Sequence, residues 1–395
     1  MIDVVGIDAV GWASLGPAER DLVTAAELVV GSPRHLGLLP PVPGQRREPL
    51  PADLRGALPD LLAEHERETT VVLASGDPLV AGIGRTVLDL FSSGTVRVHP
   101  HISSLALARA RMGWDAETVQ TVRLRTEDDL DLIRRWLFPG QRIVVLSRDA
   151  ATPAQVARLL AETGHADSTV TVLSHLGGPD EARHAADEVV PALNVVCIEV
   201  QGPSPYASLT AGLPDEAYEH DGQLTKRDVR ASALAHLMPR PGELLWDVGA
   251  GAGSIGIEWA RAHPRCRAVA VERDPDRAKR IAANAASLGV PGLTVVHGTA
   301  PDALADLPRP DAVFVGGGAD DRVIDAGWAA LRPGGRLVVH AVTLETEAVI
   351  TARWREQGGT MIRLAVEHLE RIGGYHGWKP ARTVVQWSVT KPVAP

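Results

Sequence analysis

The sequence predicts a two-domain protein of the α/β class. Its 395 residues are more than one ordinary domain requires. In both halves, short apolar runs alternate with segments of helical period, which is typical of helices that connect parallel strands. A stretch rich in glycine, proline and small polar residues separates the two series. We therefore expect a first domain over 1–200, a linker or an ordered crossing segment over 201–222, and a second domain over 223–395.

The first half is expected to form two α/β lobes. Apolar runs predict strands over 2–7, 28–30 and 71–74 in one lobe, and over 142–146, 169–173 and 194–199 in the other. Each strand is followed by a helical segment, so the pattern favours parallel sheets. In the second lobe, Thr152 is the expected cap of a helix, Pro153 suits its first position and Gly164 lies near its end.

The second half repeats the alternation in longer form. Strands are expected over 244–248, 268–271, 293–296, 312–315 and 336–339. Two more strands, over 360–366 and 383–390, lie close together near the end of the chain. No short internal repeat is visible, so each half is its own α/β unit.

The composition excludes several classes of protein. Hydrophobic residues make up 45% and charged residues 23% of the chain, which is ordinary for a folded protein. A net charge of −9 argues against a non-specific nucleic-acid binder, since neutralising phosphates requires a basic surface. The sequence has no apolar run of transmembrane length and no secretory signal at its start, so we expect a cytosolic protein. Cys197 and Cys266 are too few for a disulfide scaffold or a four-cysteine zinc site, and no metal is expected.

A glycine loop at the start of the second half carries the strongest binding signal. Residues 247–254 read DVGAGAGS, follow an apolar strand and open a helix. Glycines allow a tight turn and let a ligand lie against bare backbone, while the helix start offers unpaired N–H groups. Glu272, at the end of the next strand, can accept both ribose hydroxyls of an adenosine. This context predicts a nucleoside cofactor at Gly249, Gly251 and Gly253; the alternative is a tight turn without a ligand.

The glycine spacing from residue 251 also fits the dinucleotide fingerprint, so an NAD-dependent dehydrogenase stays a candidate. Three features favour S-adenosylmethionine. Asp247 lies two residues before the first glycine, where enzymes that use this cofactor carry an acidic residue for its methionine end. The loop with Gly298 and Ala300 follows the third strand, where an adenine would be flanked. The closing strands after residue 360 suggest the antiparallel hairpin that ends a methyltransferase sheet.

Two ordered sets of sequence blocks then span nearly the whole chain. The second half carries LTKRDVR, DVGAGAGSIGIEWA, AVERD, GTAP and DAVFVGG, and the first half carries VVGI, LVVGSPRHL, LASGDPLVAGIG, HISSLALARARMGW and VLSHLGGPDE. The second set resembles the C-terminal methyltransferase of decarboxylating precorrin C5,15-methyltransferases. The first set resembles the tetrapyrrole methylase domain that is its partner, and together they resemble the fused, bifunctional enzymes most closely.

The resemblance implies a fold and an activity for each half. The first domain would have the two-lobed tetrapyrrole methylase fold and methylate C5 of a precorrin. The second would be a Rossmann-like class I methyltransferase, with a parallel sheet and an antiparallel closing strand, that methylates C15 and decarboxylates the ring C acetate. S-adenosyl-L-methionine would be the cofactor of both in cobalamin (vitamin B12) biosynthesis. A homo-oligomer is expected, because the family's domains tend to associate.

The resemblance also implies site residues. Cofactor-binding positions carried over from the family, beside Asp247, Glu272 and the loop glycines, are Gly76, Asp77, Ser103, Ser104, Gly298, Ala300 and Gly316. Thr225 and Lys226 are expected at the mouth of the second site, where Lys226 would meet substrate carboxylates. His340 stands where the family tends to have asparagine, at a position expected to touch the substrate.

The alternatives concern how much of this activity the chain has. Asp8 replaces a glycine of the family's first loop, and the stretch from Val122 to Thr126 lacks the family's histidine–glycine–arginine pattern. Both departures motivate the hypothesis that only the C-terminal domain is active. A carrier that binds a tetrapyrrole without catalysis is a further alternative. In either case, a carboxylate-rich ligand requires some of the arginines of this acidic chain to line the pockets.

Overall fold

The protein is described here by a computed structural model that covers residues 1–63, 69–91, 94–204, 206 and 208–393. Contacts divide the chain into two compact units. The first comprises Met1–Glu127 and Phe138–Pro203, and the second comprises Asp128–Leu137 and Ser204–Pro395. No helix within the described ranges is long and apolar enough to cross a membrane.

The division differs from the expected domain limits in two places. Asp128–Leu137, expected in the first domain, belongs to the second unit. Its Arg135 side chain is buried and donates to the backbone oxygen of Arg261, and the backbone of Arg135 lies so close to Gly289 that a side chain there would collide with it. Residues 204–222, expected as a linker or crossing segment, also belong to the second unit.

The first unit contains two sheets. Its elements in chain order are β1 Ile2–Ile7, α1 Pro17–Ala25, β2 Leu28–Gly31, α2 Pro33–Gly37, β3 Arg46–Pro49, α3 Leu54–Ala63, β4 Thr70–Ser75, α4 Gly84–Leu90, β5 Val96–His99, α5 Ser104–Met112, β6 Val119–Arg123, β7 Arg142–Leu146, α6 Thr152–Glu162, β8 Thr169–Ser174, β9 Ala182–His184 and β10 Asn194–Glu199. The first sheet has the order β3-β2-β4-β1-β5 and is parallel, as predicted. Its central strands are buried on both faces, which explains their unbroken apolar runs.

The second sheet of this unit corrects the expectation of parallel sheets. Its order is β6-β7-β10-β8-β9, and β10 runs antiparallel to both β7 and β8, so the sheet is mixed rather than parallel.

The start of α6 also differs from the expectation. The helix α6 begins at Thr152, and Thr152 is not its cap. The carboxylate of Asp149 instead accepts the N–H groups of Ala151 and Thr152, at 3.0 and 3.1 Å. Asp149 thereby satisfies donors that the helix start leaves unpaired.

The second unit is built on one long sheet. Its elements are α7 Arg227–Leu237, β11 Leu244–Val248, α8 Ser254–Ala262, β12 Arg267–Glu272, α9 Pro275–Ser287, β13 Thr294–His297, β14 Ala312–Val315, α10 Asp321–Ala330, β15 Arg336–Ala341, α11 Leu344–Gln357, β16 Thr360–Leu364, β17 Glu367–Ile372, β18 Tyr375–Pro380 and β19 Val384–Thr390. The sheet order is β13-β12-β11-β14-β15-β19-β16. Strands β11 to β15 are parallel, and β19 is antiparallel to both of its neighbours. The predicted parallel sheet with an antiparallel closing strand is confirmed.

A two-stranded ribbon between the closing strands was not predicted. β17 and β18 pair with each other, and their apolar side chains Leu369, Tyr375 and Trp378 are exposed. Because neither face of the ribbon is buried, its sequence lacks the alternation of apolar and polar residues that marks a half-buried strand.

A buried ion pair between Arg230 and Glu258 holds α7 and the segment before it against α8. Glu258 on α8 is buried and accepts hydrogen bonds from the Arg230 Nε at 2.6 Å and the Tyr218 hydroxyl at 2.9 Å. The same carboxylate accepts the backbone N–H groups of Gly212 and Leu213, at 2.6 and 3.0 Å. Four donors thus compensate one buried carboxylate, which is the condition under which a buried charge is tolerated.

Removing this carboxylate is expected to destabilise the second unit. Glu258→Gln leaves the buried Arg230 with Asp215, at 3.3 Å, as its remaining carboxylate partner, and the loss of the shorter pair costs about 3 kcal/mol. Hydrogen exchange of the β11 amides, followed with increasing urea, measures the loss in this unit alone. The matched control is Glu370→Gln, whose exposed carboxylate pairs with Lys379 at 3.0 Å and should contribute less than about 1 kcal/mol. Equal effects of the two substitutions would contradict the assignment.

Candidate functional site

The glycine loop of the second unit lies at the carboxyl ends of β11 and β14, where backbones approach closely. Gly249 and Gly251 have φ angles of +69° and +60°. A Cβ on Gly249 would lie 2.5 Å from the backbone oxygen of Gly317, and one on Gly251 would lie 2.7 Å from that of Gln223. Both the backbone conformation and the space therefore require glycine. A ligand at this edge meets backbone without side chains in front of it.

Asp247, the fourth residue of β11, supplies a buried acceptor at this edge. Its Oδ2 accepts the N–H of Gly256 at 2.9 Å, which ties the strand to α8. Its Oδ1 is buried and has no hydrogen-bond partner among the described residues. Burial raises the pKa of Asp247 to about 7. An ammonium group placed at Oδ1 would satisfy this atom and favour the ionised carboxylate.

Glu272 closes the other side of the loop. It is buried at the end of β12, where Oε2 accepts the N–H of Gly251 at 2.8 Å and Oε1 accepts that of Asp274 at 3.0 Å. These bonds fix the carboxylate beside the loop. A carboxylate has about four lone-pair positions, so two acceptor positions stay available for hydroxyl groups.

Two further predicted residues lie at the same edge of the sheet. Gly298 follows β13 and donates its N–H to the backbone oxygen of Glu272 at 3.0 Å. Gly316 follows β14 and donates to the backbone oxygen of Val248 at 2.9 Å. Ala300 lies in the loop that Gly298 begins. The fold therefore gathers residues from four successive parallel strands, as expected where ligands bind to open α/β sheets.

Thr225 and Lys226 precede α7, next to the Gln223 oxygen that approaches Gly251. The Lys226 ammonium is 56% exposed and lies 3.4 Å from an oxygen of Asp215. The hydroxyl of Thr225 has no hydrogen-bond partner among the described residues, while the backbone oxygen of Thr225 accepts a hydrogen bond from Arg230. Lys226 is therefore available near the loop, although Asp215 competes for its charge.

His340 lies in a different environment from the one expected. It is buried on β15, its Nε2 is 2.9 Å from Gln386 Oε1, and its ring meets the edge of Phe314 at 4.8 Å. Burial lowers the pKa of His340 to about 4, so the ring is neutral at physiological pH. A side chain packed in this way supports the ends of β14 and β15. The expected contact of His340 with the substrate stays a prediction.

The first unit contains a cleft lined from both of its sheets. Among the predicted residues, Gly76 and Ser104 line it. Gly76 has a φ of +52°, and a Cβ there would lie 2.9 Å from the backbone oxygen of Ile102. The Asp77 carboxylate accepts the N–H of Leu79 at 2.8 Å, and the Ser103 hydroxyl accepts that of Ala106 at 3.1 Å. The last two side chains shape the turn and the start of α5.

The sequence did not reveal other polar residues of this cleft, which are Arg34, Ser147 and Asn194. The amide nitrogen of Asn194 donates to the backbone oxygens of Pro191 and Asp149, at 2.8 and 3.2 Å. Those acceptors fix the amide, so its Oδ1, which is buried, has no described partner. In the sequence, the sign of this buried amide is an asparagine placed directly before the apolar run 195–198.

These features define an α/β protein with a bare glycine loop at one sheet edge and a cleft in its first unit, and comparisons specify the class. Residues 216–391 match the model of a precorrin methyltransferase domain, and residues 2–188 match that of tetrapyrrole (corrin/porphyrin) methylases. A precorrin-6Y C(5,15)-methyltransferase (decarboxylating) of Sinorhizobium sp is 44% identical over 99% of this chain and 96% of its own. The enzyme of the same name from Mycobacterium tuberculosis (strain ATCC 25618 / H37Rv) is 42% identical over 99% and 100%.

A solved structure, the C-terminal domain of precorrin-6Y C5,15-methyltransferase from Rhodobacter capsulatus, is 44% identical, covers 47% of this chain and 100% of its own, and has a TM-score of 0.45. The full-length identities are decisive. The chain belongs to the family of decarboxylating precorrin-6Y C(5,15)-methyltransferases. Membership in a methyltransferase family implies the use of S-adenosylmethionine.

Blocking the glycine loop should abolish cofactor binding to the second unit. Gly249→Ala places a Cβ against the Gly317 oxygen and strains a positive φ, so binding of S-adenosylhomocysteine there should weaken at least tenfold. Calorimetric titration measures the number of sites and their affinity. Gly292→Ala is the control, because a Cβ there meets nothing within 4 Å. Wild-type affinity of Gly249→Ala would show that the loop does not hold the cofactor.

Binding should also depend on pH through Asp247. Its pKa of about 7 in the free protein means that the carboxylate is largely protonated below this pH. A ligand ammonium favours the ionised form, so affinity should rise up to about tenfold per pH unit from pH 5 to 7 and level off above. Titrations in buffers of different ionisation enthalpy should detect proton release. Asp247→Asn should remove the slope, and a slope that persists in this variant would exclude Asp247 as its source.

Proposed function

We propose that this protein transfers two methyl groups from S-adenosyl-L-methionine to C5 and C15 of a precorrin, specifically precorrin-6B, and decarboxylates the ring C acetate, as a step of cobalamin biosynthesis. The observation that carries the proposal is the presence of two separate candidate sites in one chain of this family. The cleft of the first unit is assigned C5 methylation. The glycine-loop site is assigned C15 methylation and decarboxylation.

The residues of the second unit fit the cofactor group by group. Asp247 Oδ1 is a buried acceptor without a donor, as the methionine ammonium requires. Glu272 has acceptor positions for the ribose hydroxyls, and Gly298 and Ala300 would flank the adenine. The bare backbone of Gly249 allows close approach. Bound there, the cofactor supplies a methyl group on a sulfonium, which is a strong electrophile.

Methyl transfer depends more on the orientation of the reacting atoms than on acid–base groups. A meso carbon of a reduced tetrapyrrole reacts as an enamine carbon: its electron pair forms the new C–C bond to the methyl group, while the C–S bond breaks and its bonding pair stays on sulfur. Alignment of carbon, methyl and sulfur can lower such a barrier by about 7–11 kcal/mol. Because burial keeps His340 neutral, this side chain is assigned to support the edge of the sheet and not to transfer a proton.

Decarboxylation follows from the same conjugated ring. The bond between the acetate methylene and its carboxyl breaks, CO2 leaves, and the electron pair enters the ring system. A proton then returns to the methylene carbon, so that a methyl group remains. Lys226, exposed beside the glycine loop, is assigned to hold a substrate carboxylate, because a local cation is needed on an acidic chain.

A second candidate has only the C-terminal domain active, and Asp8 favours it. This carboxylate lines the cleft of the first unit where the family has a glycine. Its Oδ1 accepts the Val10 N–H at 2.9 Å, the Gly11 N–H at 3.1 Å and the Ser14 hydroxyl at 2.6 Å. The side chain therefore rebuilds the loop, and it narrows the space for a ligand.

The mass of the product distinguishes the two candidates. Purified enzyme with S-adenosylmethionine and the reduced precorrin should add two methyl groups and remove one CO2. Gly251→Val should leave one methyl addition without decarboxylation, and Gly76→Val should leave one methyl addition with decarboxylation. One methyl gain with decarboxylation in the wild type would establish the second candidate. A substrate of unchanged mass would refute both.

A further inference from the structure

Arg34 is a cation that lines the cleft of the first unit, and it lies in the LVVGSPRHL block of the sequence. It lines the cleft together with Ser75 and Gly76, at the end of β4. Its Nη2 lies 3.2 Å from the Ser75 hydroxyl and 2.7 Å from His35 Nε2. These two contacts hold the guanidinium at the wall of the cleft. The residue as a whole stays exposed, so the cation is accessible to a ligand that enters the cleft.

This cation has no anionic partner in the part of the chain that the structure describes. Asp8 is the carboxylate of the cleft, and its Oδ1 is already occupied by two backbone N–H groups and the Ser14 hydroxyl. Burial lowers the pKa of Arg34, and burial together with Arg34 lowers that of His35 to about 4, so this histidine is neutral. The charge of Arg34 is therefore open to an anion that a ligand brings into the cleft.

The donor geometry indicates which ligand group would fit. A guanidinium has five N–H donors in a planar fork, and Arg34 directs only Nη2 to protein acceptors in the described structure. The remaining donors match the two oxygens of a carboxylate. The surrounding wall is largely apolar, and Ile102 at this cleft is 57% exposed. A flat, apolar ring that bears carboxylate arms suits this combination.

We propose that Arg34 binds a carboxylate of the ligand that reacts in this cleft and so positions it for methyl transfer. The inference rests on the proposed function. Two carboxylates have the same chemistry here: an acetate or propionate arm of the precorrin, and the methionine carboxylate of the cofactor. Arg34 is then one of the arginines that a carboxylate-rich substrate requires on a chain of net charge −9.

The test compares Arg34→Gln with Arg34→Lys in the full-length enzyme. The glutamine variant should raise the KM of the C5 methylation at least tenfold, because a charge-assisted hydrogen bond is lost, with kcat changed much less. The lysine variant should recover part of the loss, since it keeps the charge without the planar fork. Methylation at C15 in the same molecules should be unchanged, which shows that the second unit is unaffected, while the retained kcat of C5 methylation shows that the first unit is folded. Arg85→Gln is the matched control, because Arg85 is 76% exposed and pairs with Asp89 at 2.7 Å.

A second measurement identifies the source of the carboxylate. S-adenosylhomocysteine is titrated into full-length protein that carries Gly251→Val, so that only the first unit binds it. Weaker binding after Arg34→Gln assigns Arg34 to the methionine carboxylate. Unchanged binding together with the raised KM for the precorrin assigns it to a substrate arm. Wild-type values in both measurements would overturn the inference. Absence of C5 methylation in the wild type would instead refute the proposed function of this unit.

Discussion

Close approach of backbone to backbone at the carboxyl edge of the parallel sheet is the constraint on which the second unit depends. Gly249 donates its N–H to the Val271 oxygen at 2.9 Å, and Gly316 donates to the Val248 oxygen at the same distance. The first bond holds the turn after β11 against β12, and the second holds the turn after β14 against β11. The backbones of Gly249 and Gly317 then approach with no room for a side chain. The edge of the sheet is therefore bare peptide, flanked by two buried carboxylates. Substitutions there change both the fold and the ligand site.

The treatment of buried charge separates structure from function in this molecule. Glu258 is compensated by four donors from its own unit, so it fastens the chain and has no capacity for a ligand. Asp247 keeps one oxygen without a donor. Leaving such a buried group uncompensated costs stability. Its position at the proposed cofactor site suggests that ligand binding offsets that cost.

Much of this architecture could be predicted from local sequence patterns. The strands over 142–146, 194–199, 244–248 and 312–315 were predicted to the residue, because a strand buried on both faces is a continuous apolar run. The position of Glu272 followed from its distance to the glycine loop. The direction of β10 did not, since the partner of a strand depends on contacts far apart in sequence. Arg34 and Asn194 were missed for a related reason: the absence of a partner is a property of the tertiary structure alone.

The assignment of Asp128–Leu137 to the second unit makes the chain cross between units more than once. A single cut after residue 203 would therefore not yield two complete units. In the amino-terminal fragment, Arg135 and its neighbours would lack the surface around Arg261 and Gly289 against which they pack. During synthesis the same segment leaves the ribosome well before that surface exists. Residues 128–137 can therefore complete their packing only after the second half of the chain has been made.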